Sequence, residues 1–182
     1  MRQIGVWLLA GLLAGGPACA GEVLSSHVDY TDDHYLIDID MRIDANADKV
    51  FARLQDYSHL HRINSAIKSS RLLKTDGRVK RVRIVTRGCV WFYCRRVEQV
   101  QNIEEIRDRY LVATIDPKVS DFKYGRVIWH VWHDDTGTRI RFSADLVPDF
   151  WIPPLIGPWV MKKKLLEEGR QTITGLERLD RQ

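Results

Sequence analysis

"PPLIGPWVMKKKLLEEGRQTITGLERL", residues 153–179, is the segment that decides the fold of this chain. Its apolar residues recur at helical steps of three, four or seven positions: Leu155, Trp159, Leu166, Ile173 and Leu176. Residues at these steps share one face of an α-helix. The pattern therefore predicts a long C-terminal helix with a core-facing stripe. Gly169 and Gly175 lower its helix propensity, and they either allow close approach to the sheet or let the helix fray.

The segments before this helix have strand patterns, apart from two short helices near the start. "YLIDIDMRID" (35–44) alternates apolar and polar residues, which is typical of a half-buried antiparallel strand. Asn46 suits the N-cap of a helix in "ADKVFARLQDY" (47–57), and "SHLHRIN" (58–64) predicts a second short helix. Strand patterns separated by turns then continue as far as Val147.

This order of elements predicts one α+β domain over residues 21–182. In it, a curved antiparallel sheet wraps around the long C-terminal helix, and the two short helices follow the first long strand. If the sheet bends enough, a gap remains between sheet and helix. A ligand would bind in that gap.

The N-terminus has the organisation of a secretory signal peptide. Arg2 supplies a positive start, an uncharged apolar run covers residues 4–16, and "ACA" (18–20) provides small residues for cleavage. We expect cleavage after Ala20 and a periplasmic or secreted protein. A lipoprotein acylated at Cys19 fits less well, because the usual leucine three positions before the cysteine is missing.

Removal of the signal peptide would leave two cysteines, which lie in "RGCVWFYCRR" (87–96). In one extended strand, Cys89 and Cys94 would lie about five steps of ~3.3 Å apart, too far for a disulfide. A hairpin would bring them together, and an oxidising compartment favours the bond. The alternative is a reduced, buried pair. No nearby histidine or cysteine pair has zinc-ligand spacing, so no metal site is predicted.

The same hairpin would carry an apolar tip beside basic residues: Val90, Trp91, Phe92 and Tyr93, with Arg87, Arg95 and Arg96. An exposed apolar cluster generally marks a binding surface, and tryptophan and tyrosine favour the membrane interface. One hypothesis is therefore transient contact with a membrane surface, with the arginines near anionic headgroups. The other is that the rings fold back and close one end of the core.

Basic residues also follow one face of the strand "RVKRVRIVTR" (78–87), where Arg81, Arg83 and Arg87 alternate with apolar residues. Such a stripe can bind nucleic acid. However, export would remove that partner, and the formal net charge of the chain is only +4. We interpret the stripe as a solvated outer face and predict no nucleic-acid partner.

"WHVWH" (129–133) contains the candidate proton-transfer groups. His130 and His133 lie on opposite faces of a strand, so they cannot bind one metal as a simple pair. Either could act as a general base, oriented by Asp145 of the next strand, but His130 faces away from Trp129. No nucleophile has a recognisable setting. We therefore assign no catalytic residue and no cofactor.

Three features together resemble the START-like, or SRPBCC, superfamily, which includes polyketide cyclase/dehydrase-type and coenzyme Q-binding START-domain proteins. They are "ANADKVFARLQDYSHLHRINSAIKSSRLL" (45–73), the succession of strands, and "DFWIPPLIGPWVMKKKLLEEG" (149–169) followed by "ITGLERL" (173–179). The resemblance implies a helix-grip fold around an apolar cavity that binds a lipid or another hydrophobic molecule. The superfamily has no universal catalytic motif, so it transfers no catalytic residue to this chain.

The family geometry places inward-facing residues opposite the long helix, and it implies this cavity lining: Ile37, Ile39, Val127, Trp129, Phe142, Trp159 and Leu166. A solid core is the alternative. Three functions follow from these choices. The first is an exported protein that binds or transfers a lipid or quinone-like ligand. The second is a cyclase- or dehydratase-like enzyme acting on a polyketide-type substrate in the same cavity. The third is a protein-interaction module with a filled core.

Overall fold

The computed structural model of the protein describes residues 21–90, 93–135, 137–152 and 158–182. The strands in these ranges form one antiparallel sheet in the order β1-β2-β8-β7-β6-β5-β4-β3. Their bounds are Glu22–Thr31 (β1), His34–Ile43 (β2), Ile67–Asp76 (β3), Val79–Val90 (β4), Tyr93–Ile106 (β5), Tyr110–Ile115 (β6), Phe122–Asp134 (β7) and Gly137–Pro148 (β8). The helices are α1 (Ala47–Leu54) and α2 (Pro158–Asp180), with short 3-10 helices at Leu60–Arg62 and Pro117–Val119.

This arrangement confirms the predicted α+β helix-grip fold. The alternation predicted for residues 35–44 holds in β2, where five inward residues are buried: Tyr35, Ile37, Ile39, Met41 and Ile43. The predicted cap is also present, because the Asn46 side chain accepts hydrogen bonds from the backbone N–H groups of Asp48 and Lys49 at 3.0 and 3.2 Å. Together, α1 and the first 3-10 helix carry the chain from β2, beside β8, to β3 at the opposite edge of the sheet.

The hairpin prediction for the cysteines is confirmed as well. Cys89 at the end of β4 lies opposite Cys94 at the start of β5, and the two residues form a disulfide with Cα atoms 4.0 Å apart. The residues between β4 and β5 are Trp91 and Phe92, which lie outside the described residues. The disulfide therefore joins the two strands at one end of the sheet.

The C-terminal helix α2 packs across the sheet and is held close to its neighbours at two glycines. A side chain at Gly175 would overlap the carbonyl group of Ile63, and a Cβ at Gly169 would lie 3.3 Å from Val23. Close approach to the sheet is therefore borne out at Gly169, while at Gly175 the close neighbour is Ile63, directly after the first 3-10 helix. Within the described ranges, no helix is both long and apolar enough to cross a membrane.

Candidate ligand-binding cavity

An apolar cavity lies between the sheet and α2, and its inner chamber has a volume of about 270 Å³. Side chains from β2 and β4 to β8 form one wall. Leu54 and Leu60, from α1 and the 3-10 helix that follows it, contribute to a second, and Leu165 and Thr172 of α2 form a third. The walls are mostly aliphatic and aromatic, so the chamber can remove hydrocarbon from water at about 0.8 kcal/mol per methylene.

An outer chamber of about 380 Å³ adjoins the inner one and is partly open to solvent. The two chambers share lining residues: Asn64, Ile67, Thr86, Leu146, Leu165 and Glu168. The two chambers therefore adjoin, and together they extend from the core toward the surface. Its mouth lies between the end of the β4–β5 hairpin, the residues after β8 and the first turns of α2. Small-molecule sites span roughly 300–1,000 Å³, so the two chambers together have a suitable size.

The structure places most of the predicted lining residues on the cavity wall. Ile39, Val127, Trp129 and Phe142 line the inner chamber, and Ile37 lines the outer chamber. The rings of Trp129 and Phe142 lie in contact, with centroids 4.6 Å apart. These residues alternate along β2, β7 and β8, so the period-two pattern of the strands identifies the inward face.

The two residues predicted from α2 do not line the cavity. Trp159 is 71% exposed, and Leu166 is half-buried outside both chambers. The helix instead directs Leu165, and nearer the mouth Met161, toward the cavity. One position along an α-helix corresponds to a rotation of about 100°, so choosing Leu166 rather than Leu165 put the wrong face of the helix toward the cavity.

The polar cavity-lining residues of β5 were not identified from the sequence. Every second residue of this strand lines the cavity, from the outer chamber inward: Arg95, Val97, Gln99, Gln101 and Ile103. Gln101 is buried, yet neither it nor Gln99 makes a side-chain hydrogen bond to another described residue. The alternation in "RRVEQVQNI" (95–103) was the available signal. The residues of this segment that point into the cavity include polar side chains, and from sequence alone polar side chains are assigned to the solvent-exposed face of a strand.

Glu168 of α2 lies where the two chambers meet. Its Oε1 atom is 2.9 Å from the ammonium group of Lys164, while its buried Oε2 atom has no hydrogen-bond partner. Burial works to lower the pKa of Lys164, but contacts with Glu168 and Glu167 outweigh it and raise that pKa above its usual value. Lys164 therefore stays charged and balances Glu168.

Tyr57 lines the inner chamber, and its phenol hydroxyl already makes a hydrogen bond. It donates a hydrogen bond of 2.9 Å to the carboxylate of Glu105. Burial, followed by the neighbouring Glu105, raises the pKa of Tyr57 well above its usual range. The phenol therefore remains protonated, and it holds the wall of the chamber rather than releasing a proton.

A family model described as polyketide cyclase / dehydrase and lipid transport matches residues 37–181. The match begins within β2, which contributes to the cavity wall, and runs past the end of α2. The chain belongs to this family. Membership confirms the START-like, or SRPBCC, superfamily that the sequence resembles.

Solved structures with this family fold align with most of the chain. A protein of Thermus thermophilus has a TM-score of 0.64 at 18% identity, covering 79% of this chain and 95% of the other. A STAR-related lipid transfer protein of Xanthomonas axonopodis has a TM-score of 0.60 at 16% identity, and the alignment covers 86% of this chain and 99% of the other. The Zhui aromatase/cyclase of Streptomyces sp. R1128 has a TM-score of 0.56 at 12% identity, and the alignment covers 80% of this chain and 90% of the other. No curated protein sequence matches the chain.

In this polyketide cyclase / dehydrase and lipid transport family member, part of the predicted hairpin tip is turned toward the cavity. Tyr93 lines the outer chamber, and its hydroxyl donates a 2.9 Å hydrogen bond to the carbonyl group of Trp151. Arg95 and the exposed Arg87 also line that chamber, whereas Arg96 is exposed outside it. Assigning Arg95 to an outward basic tip was therefore wrong, because strand alternation sends its side chain inward. The side chain of Val90, like Trp91 and Phe92, is not described.

The histidines of this family member lie away from the inner chamber. His130 stacks on Tyr110 with ring centroids 3.8 Å apart and on Trp132 at 4.6 Å. Burial between these rings lowers the pKa of His130, and Asp108 partly opposes the shift. Asp145 accepts a 2.6 Å hydrogen bond from the Nδ1 atom of His34, not from His130 or His133. The described residues contain no cluster that could hold a metal ion.

Arg81 and Arg83, from the basic strand, make ion pairs. Arg81 lies 2.7 Å from the carboxylate of Asp116, and Arg83 lies 2.7 Å from that of Glu98. The side chain of Asp116 is about three-quarters buried, whereas Arg83 is half-exposed. These pairs fit the interpretation of the stripe as part of the outer face of the sheet.

Proposed function

We propose that this protein binds a hydrophobic molecule in the two-chamber cavity and carries it between membrane and solvent. The observation that carries the proposal is the pair of adjoining, mostly apolar chambers that extend from the core to the mouth beside α2. A lipid transfer protein is among the structures that share the fold, which supports the same class of ligand. A cavity between sheet and helix argues against the interaction module with a filled core.

The enzyme alternative receives less support from the site. Cyclisation or dehydration needs a proton-transfer group within reach of the substrate. His130 stacks between Tyr110 and Trp132, and the hydroxyl of Tyr57 is held by Glu105. An aromatase/cyclase shares the fold, but the described residues of the cavity favour binding over proton transfer.

Native mass spectrometry of protein purified from its own cell envelope tests the proposed function. We expect a non-covalent adduct that denaturation releases and that lipid analysis identifies as hydrophobic. Protein stripped of this adduct should then bind a neutral fluorescent probe such as N-phenyl-1-naphthylamine. Absence of both the adduct and probe binding would contradict the proposal.

We also propose export, with cleavage after Ala20. Support comes from the position of Gly21, whose backbone nitrogen lies 2.7 Å from the Oε1 atom of the buried Glu177. Cleavage would convert this nitrogen into an ammonium group that faces a carboxylate. The intact mass from the same native experiment gives the first residue of the mature chain. A chain that still carried residues 1–20 would contradict the proposal.

We further propose that the mouth of the cavity touches a membrane while the ligand is exchanged. Support comes from large exposed rings near the mouth, since Trp151 and Trp159 are 68% and 71% exposed. Tryptophan favours the interface between membrane and water. The exposed Arg96, Lys162 and Lys163 would add attraction to anionic lipids, at about 1 kcal/mol each near the surface.

A further inference from the structure

The outer chamber contains a basic side chain whose hydrogen-bonding capacity is not used. The Nε atom of Arg95 is buried and has no hydrogen-bond partner. Its guanidinium group lies over the ring of Phe150, with Cζ 4.1 Å from the ring centroid, an arrangement that orients the cation without satisfying its N–H donors. A buried donor without a partner is costly, and a ligand that accepts a hydrogen bond there would remove the cost.

The space beside Arg95 is open. Its partner across the β4–β5 ladder is Gly88, and the two residues share the face of the hairpin that lines the outer chamber. A Cβ atom built on Gly88 would meet no other atom within 4 Å. An incoming group can therefore reach the face of the hairpin next to Arg95 without displacing a side chain.

The charge around this space favours an anion. Among the described residues that line the outer chamber, Glu168 is the acidic one, and Lys164 lies 2.9 Å from its carboxylate. That pairing leaves the charges of Arg87 and Arg95, the other basic residues of this lining, without a counterion among the described residues of the chamber. The inner chamber beyond is mostly apolar and suits a hydrocarbon chain.

We infer that the ligand is an amphiphile with an anionic head, a carboxylate or a phosphate, which binds Arg95 in the outer chamber while its hydrocarbon tail fills the inner chamber. This inference rests on the proposed function, because it assumes that the cavity holds a hydrophobic ligand. Hydrogen bonds to the charged Arg95 would select the acid over a neutral amphiphile with the same tail.

Displacement of N-phenyl-1-naphthylamine by dodecanoate, dodecyl phosphate and 1-dodecanol tests the inference. We expect the two anions to bind about 10- to 100-fold more tightly than the alcohol, the range for hydrogen bonds to a charged group. Arg95→Met should remove this preference while the alcohol still binds. Arg96→Met, which changes the neighbouring exposed arginine, should keep it. The ranking of dodecanoate and dodecyl phosphate identifies the preferred head.

Each contrary result has a distinct meaning. Equal binding of the three compounds, or tighter binding of the alcohol, would overturn the anionic head and leave the hydrophobic cavity in place. A preference that persists in Arg95→Met would also overturn it. If neither the probe nor any of the three compounds binds, the proposed function itself fails. Should Arg95→Met not fold, Arg95→Lys must retain the preference for anions, because it keeps the charge in the chamber.

Discussion

Glu177 organises the start of the described chain from the far end of α2. Glu177 is only 7% exposed. Its Oε1 atom accepts hydrogen bonds from the backbone N–H groups of Gly21 at 2.7 Å and Asp44 at 3.1 Å. A Cβ at Gly21 would lie only 2.6 Å from that oxygen. Glycine is therefore the residue that lets the chain reach the buried carboxylate.

Substitution of Glu177→Gln tests the pairing with the N-terminus. In protein that begins at Gly21, we expect a loss of about 1–3 kcal/mol in the free energy of unfolding, because a buried charge-assisted contact becomes neutral. In protein that retains Ala20, the loss should be smaller, since an amide replaces the ammonium group. Denaturant unfolding measures both.

Glu167→Gln is the matched control for this experiment, because Glu167 is an exposed residue of the same helix and pairs only with Lys164 among the described residues. It should change stability by less than about 1 kcal/mol. Equal losses for Glu177→Gln in the two forms of the protein would show that the charge of the N-terminus plays no part.

At the scale of elements, the β4–β5 hairpin and the start of α2 form the mouth together. The disulfide between Cys89 and Cys94 joins the ends of the two strands, and Tyr93 is tied to the carbonyl group of Trp151 after β8. The position of the β4–β5 hairpin is thereby linked to that of the residues after β8. Trp151 and Trp159 remain exposed around them.

Replacement of both exposed tryptophans tests the membrane contact. We expect Trp151→Ala/Trp159→Ala to weaken binding to phosphatidylcholine–phosphatidylglycerol vesicles by about tenfold or more, since burial of a large side chain is worth roughly 1.5 kcal/mol or more. Vesicle sedimentation measures this. Val79→Ala/Ile106→Ala, at exposed positions near the other end of β4 and β5, should bind like the original protein. Unchanged binding of the tryptophan variant would exclude these rings from the contact.

For the whole molecule, the important feature is that the sheet and α2 do not close completely on each other. The core below the cavity is packed, with Ile43, Ile140 and Leu176 almost fully buried. Above this core, the two chambers adjoin each other. The packed part supplies stability, so the proposed exchange of a ligand in the open part would not require the domain to unfold.

Substitution of Gly88→Leu should close the mouth without disturbing the fold. The new side chain would extend into open space beside Arg95. We expect binding of N-phenyl-1-naphthylamine to weaken about tenfold, the scale of overpacking a site by about 1–3 kcal/mol, with little change in thermal stability. Ser69→Leu, at an exposed position of β3, is the control. Full binding by Gly88→Leu would show that ligands enter elsewhere.

Local patterns were sufficient for much of this architecture. Strand alternation identified β2 and its buried face, Asn46 marked the start of α1, and the spacing of Cys89 and Cys94 required a hairpin for their disulfide. Each of these features depends on residues close together in the chain. Alternation also identified cavity residues such as Trp129 and Phe142, because they share the inward face of neighbouring strands.

The sequence by itself determined the elements, their order and the family to which the chain belongs. Only the tertiary structure decided that α2 turns Leu165 rather than Leu166 to the cavity, and that Arg95 points inward while Arg96 faces solvent. The physical reason is that packing against elements distant in the sequence sets the rotation of a helix about its axis and decides which face of a strand points to the core. An apolar stripe or a pair of arginines has no local property that selects one side.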